Sequence, residues 1–285
     1  MYLKSERIIA NVDGVRFTSF QTALPQFVLD PIAVSGWYDG VDVRRDITNR
    51  PTSWGDFSEG GRMAARLVSF NGTAIAKTPR QLGEMRDKFM AIYNDGGFRE
   101  MSLEDSSGVR YLNAGLEGQP IWLRQSDTVA SWRIALYAPD PRIFGPKHEE
   151  TLGDGGSSGG LNYPLTYPLD YNTEQDSDVE AKVMSNAGNT PAWPVFKVTG
   201  NYSAGFTISN GKGQQVEYTG MVTTQAPVTI DMAKGTATQS GVDKTILVRK
   251  RQWFSIPAKG SIRPEFKATL SGTGWCGIIY RDTWI

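Results

Sequence analysis

Eight short runs rich in β-branched and aromatic residues follow one another through the second half of this sequence, and no helical period competes with them. They cover residues 195–199, 206–209, 215–218, 228–232, 245–249, 253–256, 265–270 and 276–281. Starts about 8–12 residues apart, separated by turn residues, predict a sandwich or barrel. Asn210-Gly211-Lys212-Gly213 and Ser271-Gly272-Thr273-Gly274 are two of the separators. Gly supplies 31 of 285 residues, about 11% against ~7% on average, which suits a chain of many tight turns.

The first half reads as strands around one helix. Arg66-Leu67-Val68-Ser69-Phe70 and Thr73-Ala74-Ile75-Ala76 flank Asn71-Gly72, a dipeptide that tolerates positive φ at both turn positions and so predicts a hairpin. Asp105-Ser106-Ser107-Gly108 predicts a second hairpin between residues 101–104 and 109–112. Residues 129–138 predict a long strand ending at Pro139, where the ladder loses a donor. The helix is expected over residues 78–93. Thr78 is its N-cap, Pro79 its first residue and Gln81 the reciprocal partner of a capping box. Leu82, Met85, Phe89, Ile92 and Tyr93 share one face, and Asn94-Asp95-Gly96-Gly97 supplies the left-handed terminator.

A length of 285 residues corresponds to about two domains. The stretch 153–160 is all Gly, Ser and Asp, followed by Tyr163-Pro164-Leu165-Thr166-Tyr167-Pro168-Leu169, an extended path. The boundary is therefore placed near residue 150, giving domains 1–150 and 151–285. Cleavage by a protease is expected first near 150–180.

Charge and the rare residues narrow the chemistry. Lys and Arg number 30, as do Asp and Glu, so a dedicated nucleic-acid binder is disfavoured. Cys276 is the one cysteine and reads as a small buried hydrophobe. His148 is the one histidine, beside the boundary, and reads as exposed polar surface. The Gly-rich stretch lacks the Gly-Lys-Ser/Thr ending of a phosphate loop. Glu174, Asp176, Asp178 and Glu180 alternate but lack the spacing of an EF-hand and read as a solvated connector. Paired carboxylates of the glycosidase kind stay open, because nothing in the spacing selects a pair. No metal or other cofactor is expected. No apolar run reaches ~18 residues and no leader is visible, so cytoplasmic synthesis without membrane insertion is expected.

Residues 37–61 carry Trp37, Tyr38, Trp54 and Phe57 among polar neighbours, an arrangement unsuited to one strand face. Interfaces favour aromatics, so these four are the candidate contact residues, with an ordinary long loop as the alternative.

The succession of local features resembles the distal tail proteins (Dit family) of long-tailed siphophages. Ser131-Trp132-Arg133-Ile134-Ala135-Leu136-Tyr137-Ala138 runs into Pro139-Asp140-Pro141-Arg142-Ile143-Phe144-Gly145. Gly160-Leu161-Asn162-Tyr163-Pro164-Leu165, Asn186-Ala187-Gly188-Asn189-Thr190-Pro191-Ala192-Trp193-Pro194, Val228-Thr229-Ile230-Asp231 and Ile278-Ile279-Tyr280-Arg281-Asp282-Thr283-Trp284 follow in the family's order. The resemblance implies a mainly β protein of two β-sandwich-like domains. The first has one α-helix and a β-hairpin extension, and the second is galectin-like or carbohydrate-module-like.

It further implies a structural virion protein at the distal end of the tail. Six first domains close a ring between the tail tube and the tail-tip hub with its receptor-binding components. DNA passes through the channel without specific binding, and no catalytic residue is carried over. A second reading belongs to another class: a carbohydrate-binding protein acting through the C-terminal β-sandwich. It requires an exposed aromatic platform beside Asp, Asn or Gln.

Overall fold

The computed structural model describes residues 7–58, 60–153 and 182–285. The Gly/Ser stretch beyond Gly153, the double-proline segment and the acidic run from Glu174 to Glu180 lie outside the described residues. Two compact units emerge, Met1–Pro146 and Lys147–Trp284.

The first unit comprises β1 (Ile9–Val12), β2 (Val15–Thr18), β3 (Gln26–Ser35), β4 (Val43–Arg44), β5 (Ile47–Asn49), β6 (Asp56–Ser58), β7 (Arg62–Met63), β8 (Arg66–Ile75), α1 (Pro79–Met90), β9 (Arg99–Asp105), β10 (Gly108–Arg124), β11 (Val129–Ala138) and the start of β12 (Ile143–Gly153). Its sheet runs β11-β8-β3-β2-β1-β9-β10, and β10 pairs back with β11. The sheet thus closes into a barrel-like ring where a sandwich was expected. The reason lies in β10. Residues Gly108 to Ala114 pair with β9, whereas Gly115 to Arg124 pair with β11. A register shift between Glu117 and Ile121, with Gly118 at φ +66°, re-aims the strand between its two neighbours.

Aromatic rings fill the interior. Phe17 and Trp132 lie 4.6 Å apart between centroids, and Phe89 of α1 lies 5.6 Å from Trp132. Thr78 Oγ1 accepts from the Gln81 amide at 3.3 Å, as expected of the cap. The Gln81 side chain reaches one residue further than a capping box, accepting from the Lys77 amide at 3.0 Å. The helix stops at Met90, earlier than expected; Gly96 of the expected terminator is left-handed at φ +70°, and Tyr93 ahead of it is left-handed too, at φ +48°. Asp13 accounts for this. Its carboxylate accepts from the Tyr93 amide at 2.9 Å and from the Arg99 guanidinium at 2.9 and 3.0 Å.

Arg99 holds the Asp13 carboxyl below the usual carboxylate range, helped by the Tyr93 amide. A lowered folded-state pKa contributes stability above the unfolded value of about 3.9, lost as pH falls through the folded value. The stability gap between the wild type and Asp13→Asn, read from urea melts, is therefore expected to be full near about pH 7 and to narrow toward about pH 2.

The hairpin predicted at Asn71-Gly72 does not exist. β8 runs straight through, Gly72 facing Leu29 of β3 on one side and Trp132 of β11 on the other. A Cβ at Gly72 would lie 1.9 Å from the Val28 carbonyl oxygen and 2.9 Å from Trp132 Cζ2. The glycine serves close backbone approach, not a turn. Gly72→Ala is expected to cost about 2–4 kcal/mol in urea melts, against under about 1 for Asn71→Ala. The second hairpin is present, with Asp105 opposite Gly108 and the Asp105 carboxylate accepting from Ser107 at 2.7 Å. β11 occupies residues 129–138 as predicted.

The second unit adds β13 (Met184–Asn186), β14 (Val195–Asn201), β15 (Phe206–Ser209), β16 (Gln215–Tyr218), β17 (Val228–Asp231), β18 (Thr236–Gln239), β19 (Val242–Asp243), β20 (Val248–Arg251), β21 (Gly260–Ile262), β22 (Glu265–Ala268) and β23 (Thr273–Trp284). One sheet runs β12-β23-β14-β17-β18-β19 and a second runs β20-β16-β15-β22. They share a core that includes Phe196, Phe206, Tyr218, Phe254 and Phe266. Of the eight predicted runs, 245–249 is a strand only from Val248, and 253–256 fails as a strand. Residues 245–247 form a 3₁₀ turn ahead of β20, and 253–256 keep only an isolated bridge from Ile256 to Ala192.

Candidate functional site

Between Tyr38 and Met63 every side chain whose burial is described is exposed, except the half-buried Val41. A ribbon forms here without a core of its own. Val43 faces Met63 and Arg44 faces Arg62, while Ile47, Thr48 and Asn49 face Ser58, Phe57 and Asp56. The register slips by one between the two ladders. There Gly61 lets the Val43 side chain lie close, since a Cβ would meet Val43 Cγ1 at 2.3 Å. Residues 43–63 are thus a hairpin arm, and its tip carries Trp54, 97% exposed, before Gly55 at φ +82°.

The arm leaves large apolar side chains uncovered. Val43, Ile47, Trp54, Phe57 and Met63 are all exposed. Paired residues share a face and neighbours alternate, so Ile47 and Phe57 project from opposite faces. No single apolar side exists that the ribbon could lay on its own chain. An isolated two-stranded hairpin is marginal in water. Arg50 stacks over the Phe57 ring at 4.8 Å, pre-shaping the tip.

The root is held firmly. Trp37 is 3% exposed and belongs to the core, so it leaves the set of contact candidates; Tyr38, Trp54 and Phe57 remain exposed. Arg66, 3% exposed, donates from Nη1 to the carbonyls of Gly36, Asp39 and Trp37 at 2.6, 2.9 and 3.4 Å. Its Nε donates to the Pro141 carbonyl at 2.9 Å. Tyr38 donates to the Asp105 carboxylate at 3.1 Å, and Gly36 N–H to Asp39 at 2.7 Å. Sequence reasoning missed Arg66, and no local signal marks it: an arginine opening an apolar strand looks like a solvated strand end.

Neither rare residue is set up as a nucleophile. Cys276 is fully buried, as expected, and burial pushes its thiol well up. His148 is not simple exposed surface. It stacks on Tyr280 at 4.8 Å, and its Nε2 lies 3.2 Å from the Asp282 carboxylate. Asp282 in turn accepts from the Ala187 amide at 2.8 Å. The group ties β12 to β23.

Residues 187–284 match the family model of the siphovirus-type tail component, C-terminal domain. Among solved structures, the fold is similar to SPP1 Dit (gp 19.1), described as a paradigm of the hub adsorption apparatus in phages infecting Gram-positive bacteria. That likeness has a TM-score of 0.63 at 10% identity, covering 98% of this chain and 99% of that one. Similar too are chains of the phage P2 baseplate in its activated conformation, with Ca and with Sr. Each has a TM-score of 0.51 at 10% identity, over 97% of this chain and 98% of the other. A search of curated protein sequences finds no relative.

Proposed function

We propose a place in the virion for this chain, which carries the C-terminal domain of the siphovirus-type tail component on the fold of the distal tail proteins. Six copies form a ring at the distal end of the tail. The ring joins the tail tube to the tail-tip hub and its adhesion proteins, and a central channel passes DNA. Residues 1–150 act as the ring-forming domain, with Tyr38, Trp54 and Phe57 at its contacts, and residues 151–285 as a domain on its outside. The role is structural and not enzymatic.

The observation that carries this reading is the arm: a ribbon with five large apolar side chains exposed, on a root fixed by a buried arginine. Such exposure is a liability in a lone chain and an asset in an assembly. The mass in solution tests it. At high concentration the purified chain should give a species of six times 31.4 kDa and rings in negative stain. A strictly monomeric chain at all concentrations would defeat the ring.

A conduit must also let DNA go. Each phosphate neutralised by Lys or Arg adds affinity through counterion release and would slow passage. Zero formal net charge accords with a neutral or acidic channel rim. The assembly is therefore expected to bind duplex DNA negligibly at physiological salt. A sub-micromolar, salt-sensitive affinity in a gel-shift titration would overturn the conduit.

A further inference from the structure

We infer that the second unit docks an acidic, extended segment of a partner protein, in a recess between β19 and the 3₁₀ turn that leads into β20. The recess has a volume of about 460 Å³. Tyr218, Met221, Ala226, Val242 and Leu247 supply its apolar lining, and Lys244 lies among them. Met221 is 62% exposed and Val242 56%. Gln239 braces one wall, donating to the carbonyls of Met221 and Ala226 at 3.0 and 2.9 Å. Ile246, 84% exposed, stands on the turn beside it.

Charge selects the occupant. Residues 182–285 hold twelve Lys and Arg against five Asp and Glu, a surplus of seven that the zero net charge of the whole chain conceals. Beyond Lys244, the consecutive residues Arg249, Lys250 and Arg251 of β20 are all exposed. Arg251 folds back over the turn, donating to the carbonyls of Val248 and Thr245 at 3.0 and 3.1 Å. Lys182 and Lys234 make ion pairs, but none of these four does among the described residues. The neighbouring acids are Asp243, engaged by the Thr245 amide at 2.8 Å, and Glu217, opposite Lys250.

Charges on an edge strand guard it against stray pairing, but that role needs no apolar hollow beside them. Nucleic acid favours an exposed ring on which bases stack, and Tyr218 is fully buried. A bilayer receives apolar side chains that protrude, whereas Met221, Val242 and Leu247 line a recess. An acidic polypeptide matches both halves. One apolar side chain enters the hollow, and flanking carboxylates meet Lys244, Arg249 and Lys250. β19 and β20 are the outermost strands of their sheets, so each offers unpaired backbone groups to an extended chain. The docking site stands whether or not the ring forms.

The test selects a displayed library of random dodecapeptides on the full chain. Enriched peptides are expected to be acidic around an apolar residue. The best of them, labelled with fluorescein, should bind roughly tenfold more weakly to Lys244→Glu combined with Arg249→Glu, and roughly tenfold more weakly to Met221→Asp. Raising salt from about 50 to about 300 mM should weaken it severalfold. Lys197→Glu combined with Lys267→Glu removes the same charge from other strands and should change affinity less than about twofold. Urea midpoints should stay in place for all three variants, which separates lost binding from lost fold. The docking site is overturned if no peptide is enriched or the enriched peptides are not acidic. It is overturned equally if affinity survives either recess variant, or if a thymidine oligonucleotide or phosphatidylglycerol vesicles bind more tightly than the best peptide.

Discussion

Rings should disappear when residues 43–63 are replaced by an Asn-Gly turn, while the rest of the chain folds as before. The splice is sterically sound. Ala64 N–H donates to the Asp42 carbonyl at 2.8 Å, so the two chain ends already sit as hydrogen-bonded neighbours across a ribbon. Asn-Gly is the two-residue connection that such a pair accepts. The arm buries nothing of its own, so its loss is expected to change unfolding free energy by less than about 1 kcal/mol. Its loss from the interface is a different matter. Buried aromatic anchors at interface centres commonly cost 2 kcal/mol or more on truncation, roughly a 30-fold weakening of each contact. Trp54→Ala alone should therefore move ring assembly to much higher protein concentration, and the full excision should abolish it. Light scattering on a sizing column and negative-stain images read both results. Rings that form from the armless chain would show that another surface of the first unit is the clasp.

Legibility from sequence followed how locally each feature is determined. The helix start could be read because Thr78, Pro79 and Gln81 act within one turn. Its end could not, because the carboxylate that captures Tyr93 belongs to Asp13, eighty residues away. Asn71-Gly72 misled because its glycine answers a tertiary demand, the approach of β3 and Trp132, that no local pattern encodes. β18 escaped notice because Thr236-Ala237-Thr238-Gln239 offers one buried methyl and three hydrophilic side chains. The reverse happened at Trp253–Ile256, where Phe254 and Ile256 are buried with no more than the Ile256–Ala192 bridge. At the arm, the aromatics marked the region, yet Trp37 and Trp54 look alike in sequence and differ completely in exposure.

Arg66→Met should destabilise the first unit by about 3–5 kcal/mol, the largest effect expected of any single substitution in it. Arg66 opens β8 at 3% exposure, and its partners are carbonyls of Gly36, Trp37, Asp39 and Pro141. Burial pulls its pKa down, with Asp39 opposing, yet a guanidinium stays charged in any protein interior. Methionine fills the volume of the stem but donates to none of the four oxygens. A buried acceptor left without a donor costs about 1–3 kcal/mol, and partial access of water to the root trims the total. Arg66→Lys should recover only part of the loss, since one ammonium cannot serve Pro141 on one side and three carbonyls on the other. Ring assembly separates this residue from those of the tip. Trp54→Ala should leave the urea midpoint in place and weaken rings, whereas Arg66→Met should lower the midpoint and lose rings with every arm residue intact. If Arg66→Met unfolds within about 1 kcal/mol of the wild type, water satisfies those carbonyls and the guanidinium does not set the root of the arm.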